Sequence, residues 1–177
     1  MQEIIGMNPH GLLRFPLLQD FSDTELRELL ATASEQHLSA GTLICREGDP
    51  GGVLYFVVTG QVEVSKKGKD GNPYVITRLG DGTLLGELSW ITGAPYGASV
   101  QAKREAVVIR LDGTELMRQF QQNSAGARKF ATALLKLLAI RLTCTNELVL
   151  ASLIQLDTRK KGEIGRLRER ILRDWSF

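Results

Sequence analysis

Glycine punctuates residues 35–111 so closely that no long helix fits there, and the runs between are apolar and strand-like. Turn signals stand at Gly48-Asp49-Pro50-Gly51-Gly52, Thr59-Gly60, Lys69-Asp70-Gly71-Asn72-Pro73 and Gly80-Asp81-Gly82. They separate strands expected over 42–46, 53–58, 61–65, 74–79, 98–102 and 105–111. Many short strands with glycine turns imply a sandwich or a β jelly-roll, a double-stranded β-helix. The glycines at 48, 60 and 82 are read as tight turns with unusual backbone angles.

Helices flank this mainly β region. Ser22 and Glu25 have capping-box spacing ahead of Leu26, Leu29 and Leu30, so a short docked helix is expected there. Asp112 and Glu115 repeat that spacing and open a second helix to about Gln121. A long helix then runs from about Ser124 past Leu150. Leu135, Leu138, Leu142, Thr145, Val149, Ser152 and Leu156 recur on it by threes and fours, the spacing of a dimer seam. Arg159-Lys160-Lys161-Gly162 reads as a hinge. Residues 163–175 form an expected last helix, with Ile164, Leu167, Ile171 and Trp175 opposite Arg166, Arg170 and Arg173. That basic face is read as a solvated helix or an interaction tail. The expected organisation is a β-roll with its first helix over 12–122, the long helix over 123–158 and the basic helix over 159–177.

Residues 86–99 concentrate the chemistry. Gly86 lets backbone approach a ligand closely, and the residues after it, Glu87, Leu88 and Ser89, open a short helix whose N–H groups favour an anion. Glu87 offers a carboxylate suited to ribose hydroxyls. Tyr96, Gly97, Ala98 and Ser99 bring more N–H groups and a hydroxyl to the same place. This stretch resembles the phosphate-binding cassette of the cyclic nucleotide-binding domain family, Gly-Glu-Leu followed by Pro, a basic residue and small residues. Arg46-Glu47-Gly48-Asp49, Leu54 to Val64 and Leu79 to Glu87 are similar to that family in spacing, Leu85 standing where Phe is commoner. The resemblance covers about residues 12–150 and implies a jelly-roll with a helix that pairs in a parallel homodimer. In the catabolite-activator-like branch, it further implies that Thr145 and Asn146 reach across the dimer to a nucleotide base; as ordinary seam or surface polars they need no such role.

The family's arginine is Tyr96 here. Arg holds two phosphate oxygens at once, and losing one partner of a buried charge pair costs about 2–5 kcal/mol. That weakens binding roughly thirty- to several-thousand-fold. Lys103 and Arg104 sit at a hairpin turn away from the cassette, and the facing of Arg46 and Arg78 is not fixed by sequence. Glu87 also serves as a cap or ion-pair partner, Gly86 and Gly97 are explained by tight packing, Ser99 is ordinary in a strand, and Trp90 belongs to the core.

Composition is that of a globular domain, 43% hydrophobic and 24% charged with a net charge of +2. Cys45 and Cys144 match no metal or redox spacing and are read as structural thiols. His10 and His37 have no nucleophile or second ligand nearby, no Walker loop or metal triad is visible, and the chain is read as a non-enzyme. No secretory signal is evident and no stretch approaches the ~18 apolar residues of a membrane span, so a cytoplasmic chain without a membrane partner is expected. Two functions stand open. One is a stand-alone regulatory or scaffolding homodimer with a degenerate cassette, holding no cofactor or a nucleotide-like ligand and meeting a protein partner through its C-terminal helices. The alternative is a genuine cyclic nucleotide sensor signalling through those helices. DNA binding is the weakest reading, since a winged helix-turn-helix needs more chain than follows Leu150.

Overall fold

A computed structural model describes residues 12, 13 and 15–157. It divides into two units, Met1–Ala133 and Leu134–Phe177, with the boundary inside the last helix.

Helix α1 (Asp23–Leu29) starts as its capping box requires. The Ser22 hydroxyl accepts from the Glu25 N–H at 3.3 Å, and the Glu25 carboxylate accepts from the Ser22 N–H at 2.8 Å. Leu26 and Leu29 bury the inner face. Lys129 adds an ion pair to Glu25 at 2.8 Å. Its ammonium first, then the Ser22 backbone, hold the Glu25 carboxyl down to about 2. A depressed carboxyl adds stability that is present above its unfolded value of 4.5 and is lost as pH falls toward 2. Glu25→Gln keeps the cap but removes the charge. Urea midpoints of this variant should therefore fall less than those of the parent between about pH 5 and pH 2.

Eight strands follow: β1 (Ser34–Leu38), β2 (Leu43–Cys45), β3 (Val53–Thr59), β4 (Val62–Lys67), β5 (Pro73–Leu79), β6 (Thr83–Leu85), β7 (Ser99–Ala102) and β8 (Ala106–Asp112). They form two antiparallel sheets, ordered β1-β8-β3-β6 and β2-β7-β4-β5, as a jelly-roll does. Two of these strands escape sequence reading. β1 is a polar edge strand, Ser-Glu-Gln-His-Leu, held by its ladder to β8 from Ser34↔Arg110 to Leu38↔Ala106. β6 is too short to show a period and is held by β3.

Strand β3 is apolar on both faces because both are covered. Tyr55 and Val57 face the space between the sheets, in a cluster with Val62, Leu85, Tyr96, Val100 and Val108. Phe56 meets Phe15 edge-on at 5.5 Å and Phe130 at 6.3 Å.

Helix α2 (Glu87–Thr92) lies between β6 and β7. Helix α3 (Gly113–Gln121) is capped by Asp112, whose carboxylate accepts from the N–H groups of Thr114 at 2.8 Å and Glu115 at 3.3 Å. Glu115 does not return the bond; it takes Arg118 at 2.7 Å instead. Helix α4 (Ala125–Asp157) is the expected long helix. Within the first unit its Gly126 N–H donates to the Glu28 carboxylate at 3.2 Å, and Phe130 is fully buried.

In the second unit, Leu135, Ile140, Leu142, Leu148, Val149, Leu150 and Ile154 are all exposed. The stretch Ala125–Ile154 is apolar enough, by length and composition alone, to cross a bilayer. The expectation that nothing approaches such a span is corrected to that extent. Arg128, Lys129, Lys136, Arg141 and Glu147 break the apolar run in the sequence, whereas the overall apolarity is carried by the leucines and alanines around them. The hinge at 159–162 and the helix expected over 163–175 lie outside the described residues.

Candidate nucleotide cassette

The stretch 86–99 forms one loop, a short helix and the start of a strand, all anchored on β3 and on the turn before it. Gly86 takes a left-handed φ of +85°, where a Cβ would stand 2.2 Å from the Val53 carbonyl oxygen. Packing alone thus explains Gly86. It does not explain Gly97, whose Cβ would meet nothing within 4 Å. The turn glycines 48, 60 and 82 have φ of +86°, +103° and +83°, as their turn positions require.

From Gly86 the chain enters α2 with Glu87 and Ser89 buried and Leu88 turned outward, 62% exposed. The Ser89 hydroxyl donates to the Ala94 carbonyl at 2.6 Å and so closes the loop internally. Trp90, expected in the core, is half-buried. Its indole N–H donates to the Gly113 carbonyl at 2.9 Å, and its ring stacks on Phe120 at 6.0 Å.

Tyr96 is turned inward. Its ring is 8% exposed and belongs to the inter-sheet cluster. Its hydroxyl donates to the Val53 carbonyl at 3.1 Å, and burial pushes it up to about 12, so it stays protonated at neutral pH. The Tyr96 backbone is also committed: its N–H donates to Asp49 O at 3.0 Å, and its carbonyl accepts from Gly48 N–H at 2.8 Å. Downstream, the Ala98 carbonyl accepts from the Cys45 thiol at 3.9 Å, and the Ser99 hydroxyl accepts from the Glu47 N–H at 3.0 Å. Burial pushes the Cys45 thiol up to about 11, which fits an inert structural thiol.

Of the cations named from sequence, Arg78 and Lys103 are engaged away from the cassette. Arg78 and Lys103 both bind the Glu63 carboxylate, at 2.9 Å and 3.3 Å. Arg104 is exposed, and Arg46 is exposed beside the cassette, between Cys45, which pairs with Val100, and Glu47, whose N–H donates to Ser99. Among the described residues no Lys or Arg is buried. A groove of about 390 Å³ opens between the Gly48–Gly52 turn and Ser89, Trp90 and Pro95, and its walls carry no cation either.

The structure therefore brings Gly86, Glu87, Ser89, Tyr96, Ala98 and Ser99 together on one scaffold, with Leu88 and Gly97 at its surface. Thr145 and Asn146 belong to the second unit and are exposed on α4, where the Thr145 hydroxyl donates to the Arg141 carbonyl at 2.8 Å. Of the expected seam, Leu135, Leu142, Thr145, Val149 and Ser152 are exposed and Leu138 is half-buried; the Leu156 side chain lies outside the described residues. Sequence reasoning missed Val53, the acceptor for Tyr96. The signal was faint: Val53 is a strand's first residue, and what matters is its carbonyl, not its side chain.

Solved structures share this fold. A cyclic nucleotide-binding domain from Methylobacillus flagellatus superposes with a TM-score of 0.74 at 26% identity, over 81% of this chain and 83% of that one. The catabolite activator protein of Thermus thermophilus gives 0.67 at 27% identity, over 78% of this chain and 63% of that one. Among curated proteins, a CRP-like cAMP-activated global transcriptional regulator of Mycobacterium tuberculosis is 27% identical over 146 residues, 82% of this chain and 63% of its own length. A cAMP-dependent protein kinase regulatory subunit of Yarrowia lipolytica is 33% identical over 100 residues, 56% of this chain. The chain spans only 26% of that subunit's length. The sequence profile of the cyclic nucleotide-binding domain matches residues 35–123, half of the chain, and the chain belongs to that family.

Proposed function

We propose that this chain is a regulatory, non-enzymatic member of the family whose cassette is occupied by its own Tyr96 and does not take up cAMP or cGMP in the family's usual way. One observation carries this: the side chain at the position of the phosphate-binding arginine is a buried aromatic ring, tied to Val53 and packed among apolar side chains. A nucleotide phosphate there would meet an apolar wall, with no buried cation among the described residues to balance its charge. The committed backbone at 96 and the engaged hydroxyls of Ser89 and Ser99 support the same reading.

The chain would act in the cytoplasm as a homodimer through the seam on α4, with a protein partner on its C-terminal helices rather than DNA. The exposed leucines on the outer part of α4 support a surface made to be covered. The alternative of a genuine sensor, signalling through the C-terminal helices, keeps Glu87, Tyr96, Gly97, Ala98, Ser99, Thr145 and Asn146 as ligand contacts, with another cation in the arginine's place. Trp90 supports it in part, because it stacks directly on Phe120 and also touches Phe130 at the base of α4.

Calorimetric titration with cAMP and cGMP, after mass spectrometry for a co-purified ligand, separates the two. No heat up to millimolar nucleotide, with nothing carried through purification, is the expected result. Micromolar binding would displace the degenerate reading in favour of the sensor.

A further inference from the structure

The β4–β5 hairpin carries an exposed patch that the cassette does not use. Strand β7 lies beside β4 only from Val62 to Ser65. The hairpin continues through Lys66↔Tyr74 and Lys67↔Pro73, so its last rungs and the turn after them project past the sheet. β5 is the outer strand, and every residue from Pro73 to Arg78 is exposed. Tyr74, Val75 and Ile76 are 57%, 54% and 59% exposed. Tyr74 stands on the projecting rungs, and Val75, opposite Ser65, and Ile76 follow it on the outer strand, so β5 presents a continuous exposed apolar edge. The register break between Val64 and Ser65 leaves Ile76 without a partner residue across the ladder.

The tip is pre-built. The Tyr74 hydroxyl donates to Asp70 at 2.7 Å, Asn72 donates to Asp70 through its side-chain amide at 2.9 Å, and the Gly68 N–H donates to the Asn72 carbonyl at 2.8 Å. Its charge is mainly positive, with Lys66, Lys67 and Lys69 exposed. The carboxylates beside them are Asp70, taken up inside the turn, and Glu47, which accepts the Lys67 N–H at 2.8 Å.

We infer that this tip docks on an anionic lipid surface, Tyr74, Val75 and Ile76 entering the interface while the lysines stay at headgroup depth. β5 has no strand on its outer side, so its apolar edge and the lysines on and after β4 can meet an anionic interface together. A nucleic acid would use the lysines and gain nothing from Val75 and Ile76. Lysine suits the role because its long stem lies along apolar surface while the ammonium remains hydrated, and anionic headgroups attract each such charge.

The test is co-sedimentation of the full chain with vesicles of phosphatidylcholine alone and with about one third phosphatidylserine, near 0.1 M salt. Binding is expected on the anionic vesicles only. Lys66→Gln with Lys67→Gln should weaken it about thirtyfold. Val75→Ser with Ile76→Ser should weaken it tenfold or more, with both doubles melting as the parent does because the sites are exposed. Three results would overturn the proposal. One is no binding to anionic vesicles, which leaves a protein partner for the patch. Another is binding unchanged in both doubles, which moves the contact to α4. The last is equal binding to neutral vesicles. Nucleotide titration is unaffected by any of them, so failure here is separate from failure of the cassette reading.

Discussion

Tyr96→Ala should lose about 3–5 kcal/mol of folding stability, the range for emptying an aromatic site in a packed core. The reason is position: the ring fills the space between the sheets, against Tyr55, Val57, Val62, Leu85, Val100 and Val108. Tyr96→Phe keeps the ring and loses only the bond to the Val53 carbonyl, so about 1 kcal/mol is expected. Tyr96→Arg should fall at least as far as the alanine variant, because it leaves a guanidinium in the same cluster without an anion. Urea denaturation of the three variants checks the order. An alanine variant within 1 kcal/mol of the parent would mean that the ring does not hold the core. Repeating the melts in millimolar cAMP extends the test. A midpoint that rises for the arginine variant alone would show that a phosphate can take the ring's place once a cation stands beside it.

Gly86→Ala is the second large effect, expected above about 3 kcal/mol. Two costs add there. A left-handed φ of +85° strains any L side chain, and the new Cβ would press on the Val53 carbonyl at 2.2 Å. That oxygen belongs to a central strand and cannot swing aside as a side chain tip would. Gly97→Ala is the control in the same loop: with free space around it and no left-handed angle, it should be neutral or stabilising by about 0.4–1 kcal/mol. Denaturation midpoints of the two variants, measured together, check the contrast. Equal losses at both positions would remove the packing argument for Gly86.

Legibility followed the physical signal. The Ser22 and Asp112 caps are local, set by spacing alone, and both form. Strands β3, β4, β5, β7 and β8 sit close to the apolar runs that mark them. β1 and β6 are made by their neighbours' ladders rather than by their own residues, and such strands leave no period to read. At the cassette, the replacement of arginine by Tyr96 was plain. The direction of its ring was not, because facing depends on the Gly48–Asp49 turn pairing with the Tyr96 backbone across a long sequence gap. Gly86 and Gly97 look alike in sequence and differ only in what lies above them in space. On α4 the threes and fours were visible, but not that leucines and isoleucines would be exposed well beyond one seam.

Both ends of the cassette rest on a single peptide. Gly86 crowds the Val53 carbonyl and Tyr96 donates to it, so residues 86–96 form a loop whose two closures share one atom. Disturbing the Val53 peptide therefore disturbs both contacts together, which couples the loop to the start of a core strand rather than to the protein surface.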